Sequence, residues 1–493
     1  MTKRIVVVGT GGAGLVAAVA ARDAGRDVVV VSKTKRALAS CTAYSAGIFT
    51  LACGGVSPEE HYERTLKTGC GVNEPALVKI LSNEGEQALR TLQGWGVGIT
   101  FKKGMATVRA TAPNELMGGA GFLEELVSIA ERAGIRFVDW TAATSLRLSG
   151  GRVTGVCVQD WRTGKSDTID AGAVILATGG CGQLFSHTDN PARITGDGYA
   201  LASNTGAVVR DMEFVQFYPV GWSEPGFPRW MADVGLVDFL RITDSEGNEF
   251  LKEALRDWGF KDGREGNLYA RDRCAQIVAE RDRQGGVFAH LEDLTEEQWK
   301  DPYLHYCLTL DAKFFRGARR PVRLAPLEHY FCGGVSIDGD GRTSTKGLFA
   351  CGEVTGGVDG ANRVGGNALT NIVTFGLRAG RTAAMECEPV TGQDGRGAAY
   401  DGLLPVSTKG ERPGKLRREL QQKAWEALGP IREPGKIREF LAFLSDFRDR
   451  RTRIDDVLDR LYALEMEGLH RTAVLVAEAA LKREKSLGTH YRP

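Results

Sequence analysis

Two runs of β-branched residues, Ile5–Val8 and Val28–Val31, bracket the stretch Gly9-Thr-Gly11-Gly12-Ala-Gly14 and the alanine-rich segment from Ala13 to Ala24. This order limits what the N-terminal part of the chain can become. Short apolar runs without alternation suit strands buried on both faces of a parallel sheet. The alanine-rich segment is a good helix former, and Gly25 suits its C-terminal cap. In a strand–turn–helix–strand setting each glycine has its own reason. Gly9 permits the tight turn, Gly11 lets the backbone approach a pyrophosphate, and Gly14 allows the helix to pack on the strand. The helix N-terminus then faces the phosphate charge. The motif is weak by itself and gains its weight from this context.

The second strand departs from the general dinucleotide pattern. It should end in an acid that holds a ribose hydroxyl, and it ends in Ser32-Lys33. Lys33 beside a 2′-phosphate would make the ligand NADP. Lys33 in solvent, with Ser32 on the ribose, would not. The residues themselves leave both readings open.

A second glycine-dense stretch, Gly352–Leu369, carries the single arginine Arg363. Glycines allow close approach to a flat ligand, and a guanidinium fork suits a carboxylate. The plainer alternative is a surface turn with a solvated arginine. Net charge is +1, which gives no basic field for nucleic acid. The 10 cysteines form no C-x-x-C pair, so neither a zinc ribbon nor a ferredoxin-type cluster is supported. Scattered thiols fit a reducing, cytoplasmic setting. The seven histidines have no metal-ligand spacing, and no Gly-x-Ser-x-Gly elbow occurs. Lys3-Arg4 before an apolar run is reminiscent of a secretory leader. Gly9, Gly11, Gly12 and Gly14 break that run, which ends in Arg22-Asp23, so it reads as part of the fold. No apolar run is long enough for a membrane span.

The chain of 493 residues has room for roughly two to four domains. Residues 1–212 read as the first part of a nucleotide-binding domain. It holds helices over 75–95 and 119–134, a hairpin of Val153–Gln159 with Asp167–Asp170, and a buried strand at Val174–Gly180. Residues 213–325 mix prolines, tryptophans and charges, with a helix over Leu268–Arg283, and read as an inserted capping domain. Residues 326–389 return to the first texture, with a strand at Gly347–Cys351. Residues 390–411 read as a linker, and 412–493 as a helical domain with helices over Lys415–Leu428, Lys436–Arg448 and Ile454–Lys482.

Taken together, the chain resembles the flavoprotein subunits of succinate dehydrogenase and fumarate reductase, with L-aspartate oxidase as a relative. The matching residues are Ser32-Lys33, Ser40-Cys41-Thr42, Ala177-Thr178-Gly179-Gly180, Thr195-Gly-Asp197-Gly198, Asp211–Phe217, His329-Tyr330 with Gly333-Gly334, Gly352–Leu369, and Arg483, Ser486, Gly488, His490 and Arg492. The resemblance implies an α/β fold: a Rossmann-like FAD-binding domain split by an inserted α+β cap, then helices. It implies FAD contacts from Gly9, Gly11, Gly12, Ala13, Gly14, Ser32, Lys33, Ser40, Cys41, Thr42, Gly47, Ala177, Thr178, Gly179, Asp197, Glu353, Asn367 and Leu369. Arg363 and His329 correspond to the family's carboxylate-binding pair. The implied reaction moves hydride between flavin N5 and a carbon–carbon bond of a carboxylate.

Several residues depart from the family pattern. Cys41 stands where covalent members carry histidine, which implies non-covalent FAD. Tyr218 replaces a substrate histidine and Val220 a threonine. Counting back from Asp244–Phe250, the arginine and glutamate of Arg-Gly-Glu-Gly-Gly fall on Leu236 and Asp238. The resemblance makes that arginine the proton donor. Its loss implies a carboxylate other than succinate or fumarate, with Tyr218 or Arg241 as the replacement acid. The alternatives are an electron-relay subunit with an eroded substrate site, amine oxidation as in L-aspartate oxidase, or an NADP enzyme using Lys33. The family also implies a separate electron-transfer partner, an iron–sulfur or flavin protein, and a setting peripheral to a membrane complex.

Overall fold

The computed structural model describes residues 2–108, 118–310, 312–390 and 403–493. A five-stranded sheet runs in the order Leu348–Ala350, Ala173–Leu176, Arg4–Val8, Asp27–Val31, Arg136–Val138. Every neighbouring pair is parallel. The inner strands are buried almost throughout, as their unalternating sequences require. Helix Gly12–Asp23 follows the first strand, and helix Asn367–Glu386 packs across it. The two approach so closely that a Cβ on Gly380 would lie 2.4 Å from the Ala17 carbonyl oxygen. A three-stranded antiparallel sheet, Thr141–Ser149, Arg152–Asp160 and Ser166–Asp170, lies beside the main sheet. It contains the expected hairpin and one further strand.

The cap is built on a five-stranded antiparallel sheet in the order Trp230–Ala232, Val215–Trp222, Val322–Phe331, Val287–Ala289, Ile242–Asp244. It has its own core around Trp222, Phe315 and Leu324. The two long strands pass between the bodies. Their Val215 and Phe331 ends belong to the main core, and their Trp222 and Leu324 ends to the cap. Their pairing slips between Gln216 and Phe217 and again between Tyr218 and Gly221. Such irregularities re-aim side chains, and these fall where the two bodies meet.

The helix expected over Leu268–Arg283 is two helices, Gly263–Tyr269 and Arg271–Arg283, separated at Ala270. At the C-terminal side Pro413–Leu428, Pro434–Phe447 and Val457–Lys482 pack together. Part of the expected linker, 391–402, lies outside the described residues. The remainder is not free chain, because Val406–Glu411 is a strand bridged to Thr452. Among the described residues no helix is long and apolar enough to cross a membrane.

Candidate active site

A cleft of about 870 Å³ opens at the C-terminal ends of the parallel strands. Gly9, Gly11, Gly12 and Ala13 form its floor. Gly9 has φ +116°, and a Cβ there would lie 2.2 Å from the Ala177 carbonyl oxygen. Helix Gly12–Asp23 starts at Gly11 with no side-chain cap and no acidic residue in its first turn. Its exposed N–H groups and positive dipole end are therefore open to an anion. The walls include Ser32, Lys33, Ser40, Cys41, Thr42, Ala177, Thr178, Gly179, Asp197 and Glu353. Thr178 Oγ1 is buried with no hydrogen-bond partner.

Four residues assigned to the cofactor are directed elsewhere. Gly14 is a packing residue, since a Cβ there would lie 2.1 Å from the Gly9 carbonyl oxygen. Gly47 sits against Val108 and Gly118 at φ +73°. Asn367 turns inward, donating to Thr65 Oγ1 at 3.1 Å and pairing with His61 Nε2 at 2.9 Å. Leu369 belongs to the hydrophobic core, and Ile372 lines the cleft in its place.

Lys33 is drawn into the protein. Its Nζ donates to Thr195 Oγ1 and lies 2.7 Å from Asp197 Oδ2 and 3.1 Å from Glu465 Oε1. Glu465 also pairs with Arg193 at 2.9 Å and Arg417 at 2.8 Å. These cations hold its carboxyl below the usual range despite full burial. A lysine held by two carboxylates is a poor receptor for a 2′-phosphate, which removes the basis for NADP. Cys41 donates to Asn190 Oδ1 at 3.1 Å. Burial, with Glu353, Glu328 and Asp189 nearby, pushes its thiol well above its ordinary range. Glu353 is buried against Gly180 and accepts from the Phe331 N–H at 3.1 Å. Burial raises its pKa to about 7, with Arg363 opposing the rise.

A second group of side chains gathers where the cap meets the main body. Arg363 is 6% exposed. Its Nη2 donates to Gln216 Oε1 at 3.0 Å, and its guanidinium carbon lies 4.2 Å from the Tyr330 ring centroid. Its Nε is buried without a partner. His329 Nδ1 pairs with Asp189 Oδ2 at 2.8 Å, and its ring meets Tyr218 edge-on at 5.3 Å. From the cap, Arg271 brings its guanidinium to 4.8 Å from the Tyr218 centroid. Its Nη2 would lie 3.6 Å from a Cβ on Gly365, two residues from Arg363. Arg271 Nε is also buried and unpartnered.

Tyr218 and Arg241 do not occupy the roles expected of them. Tyr218 donates its hydroxyl to Asp233 Oδ2 at 3.4 Å, and Asp233 also accepts from Asn267 at 2.6 Å. Burial and the Asp233 charge push the phenol well above its ordinary pKa, which makes it a poor acid. Arg241 pairs with Asp293 at 2.8 Å on the outer side of the cap, beside the edge strand Ile242–Asp244. The cap's inward arginine is Arg271. Sequence reasoning misses it because the pattern over Leu268–Arg283 reads as one helix, and the break at Ala270 leaves no clear signal. Leu236 and Asp238 lie in a short helical turn, where Asp238 accepts from the Gly263 N–H at 3.1 Å.

The FAD binding domain family matches residues 4–369, and the family described as fumarate reductase flavoprotein C-term matches residues 417–493. Over 525 aligned positions the chain is 31% identical to a CoM/CoB fumarate reductase flavoprotein of Methanothermobacter marburgensis, covering 99% of this chain and 93% of that one. The chain belongs to the fumarate reductase and succinate dehydrogenase flavoprotein family. It is also 30% identical to the L-aspartate oxidase of Streptomyces coelicolor, over 99% of this chain and 88% of that one. Among solved structures, E. coli quinol fumarate reductase FrdA superposes with a TM-score of 0.84 at 26% identity, over 100% of this chain and 91% of that one. This family member is therefore an FAD-dependent oxidoreductase of the group acting on CH–CH bonds. Its cleft suits the cofactor: an uncapped helix N-terminus for the pyrophosphate, glycines where side chains would intrude, and an orphaned Thr178 hydroxyl.

Proposed function

We propose that this flavoprotein oxidises or reduces a carbon–carbon bond adjacent to a carboxylate, with the carboxylate held by Arg363, His329 and Arg271 and the FAD bound non-covalently. The observation that carries the reading is the pair of guanidiniums. They come from different bodies, stand on either side of Tyr218 and Gly365, and each has a buried Nε with no protein partner. Buried donors are almost always satisfied in a working state. A carboxylate is the planar anion that two such forks accept.

Bound FAD supplies the hydride chemistry. Asp189 fixes the His329 ring through Nδ1 and leaves Nε2 for the substrate. Arg363 stabilises charge that builds on the carboxylate as the neighbouring carbon becomes nucleophilic, an effect of about 3–4 kcal/mol per well-placed donor. Arg271 is the proposed proton carrier at the second carbon. A guanidinium releases a proton only to a very strong base, and a carbon next to a carboxylate with developing negative charge is one. Arg271 then regains a proton from solvent at the edge of the cap. Cys41 stays a thiol, which supports non-covalent FAD.

The substrate is proposed to be a carboxylate other than succinate or fumarate. The apolar Val220 and the Tyr218–Asp233 pair offer no grip for a second carboxylate. A separate electron carrier as partner is proposed by analogy with relatives named as subunits. The competing reading is an electron-relay subunit, favoured by the Tyr218 hydroxyl being committed to Asp233. Anaerobic reduction of the flavin, followed by mixing with crotonate, cinnamate or fumarate, separates the two. A catalyst is reoxidised by at least one of them; a relay is reoxidised by none. Denaturation should release intact FAD, and colour retained on the unfolded chain would overturn the non-covalent assignment.

A further inference from the structure

Arg363 lies on the loop 360–366, and the last residues of the chain hold that loop from outside. The Ala361 carbonyl accepts twice from Thr489, from its N–H at 2.9 Å and its Oγ1 at 3.0 Å. Gly488 lies against the same carbonyl with φ +51°, and a Cβ there would come within 2.4 Å of the oxygen. On its other side the Ala361 N–H donates to the Gly69 carbonyl at 2.9 Å. Leu487 packs on the small cluster of Phe214, Tyr330, Cys332 and Ala361, and Tyr330 is the ring on which the Arg363 guanidinium rests.

The holding segment is itself anchored. Leu487 and His490 exchange backbone hydrogen bonds of 2.8 and 3.0 Å, closing a tight turn. His490 is fully buried; its Nδ1 accepts from Arg432 at 2.9 Å and its Nε2 donates to the Arg483 carbonyl at 3.0 Å. The Arg432 N–H donates to the Tyr491 carbonyl at 3.0 Å. Arg483 pairs with Glu213 and lies 4.8 Å from the Phe214 ring centroid. Two hydrogen bonds, a required glycine and an apolar contact thus converge on a residue two positions from Arg363.

We infer that the turn Leu487–His490 is a positioning element for Arg363, setting the loop so that the guanidinium faces the substrate carboxylate. Gly488 and Thr489 act through Ala361 and touch neither cofactor nor substrate. The inference rests on the reading that Arg363 binds a carboxylate.

The test uses the full-length holoprotein with Gly488→Ala, Thr489→Val and the conservative Thr489→Ser. Hydrogen exchange of the amides in 360–366 should quicken about five- to tenfold in Thr489→Val, the loss of one buried hydrogen bond, and at least as much in Gly488→Ala. Thr489→Ser should restore the wild-type rate. FAD content and melting temperature of Thr489→Val should be unchanged. For whichever of crotonate, cinnamate or fumarate reoxidises the reduced flavin, KM should rise by a similar factor while kcat stays within about twofold. Unchanged loop exchange in both variants would overturn the inference, as would faster exchange with an unchanged KM. If wild type responds to none of the three acids, the functional reading fails instead, and the exchange measurement alone decides whether the turn holds the loop. Should Gly488→Ala fail to fold, the Thr489 pair carries the test.

Discussion

Replacing Arg363 with lysine keeps the charge and removes the fork. In the structure the guanidinium has committed Nη2 to Gln216 and its face to Tyr330, leaving Nε without a protein partner. Lysine can retain one charged contact of the two that a fork makes with a carboxylate. The loss is then one hydrogen bond to a charged group, about 1.5–3 kcal/mol, or roughly a 10- to 150-fold fall in kcat/KM. Part of that loss falls on the protein itself. Arg363 restrains the pKa of two buried acids, Glu353 at about 7 and Asp359 at about 6, and a displaced cation lets both rise further. The measurement is stopped-flow reoxidation of photoreduced flavin by an unsaturated carboxylate, with the FAD content of each preparation determined separately. FAD binding should be retained, because the nucleotide cleft is lined by other residues. A kcat/KM within about twofold of wild type, against the tenfold minimum expected for one charged contact, would refute the clamp.

Arg271→Ala should cut turnover at saturating carboxylate by about a hundredfold or more, the range for loss of an acid–base group. Arg241→Ala should leave it unchanged, and the reverse result would restore Arg241 as the cap's active arginine. Lys33→Met removes one of three cations around the buried Glu465 and should destabilise the protein by up to about 3 kcal/mol, at or below the usual 3–5 because Arg193 and Arg417 remain; unchanged denaturant midpoints would show that Lys33 is not buried in that network. Glu353→Gln addresses pH. The folded-state pKa of Glu353, about 7, lies above its ordinary value of 4.5, so its contribution is fully present below pH 4.5 and lost as pH rises through 7. The FAD-free variant should therefore gain on FAD-free wild type by about 2.5 kcal/mol between pH 5 and pH 8. A gain that does not vary with pH would mean that Glu353 is not buried as a protonated acid.

What the sequence revealed depended on how local the cause was. The strands Arg4–Val8 and Asp27–Val31 and the helix between them were legible because apolar runs and glycines specify them within a few residues. Gly14 as a packing glycine follows from the same local geometry. Arg363 could be singled out because it is the one arginine in a glycine-rich stretch. Lys33 could not be resolved, since its partners Thr195, Asp197 and Glu465 come from distant parts of the chain. Arg271 and Arg241 are equally charged and lie in the same inserted segment. A break at Ala270 and an ion pair with Asp293 turn one inward and the other outward, and both are tertiary facts. Tyr218 does lie beside His329, but the hydrogen bond to Asp233 that consumes its hydroxyl comes from a loop whose register no periodicity fixes.

The strands Val215–Trp222 and Val322–Phe331 serve as a hinge pin, with their slipped pairing at the pivot. Arg271 rides on the moving side and Arg363 on the stationary one. Any swing that widens the doorway also pulls the two guanidiniums apart, so aperture and grip are a single variable. An anion between them acts as a cross-brace that shuts the door behind itself, and the door reopens only when that brace weakens.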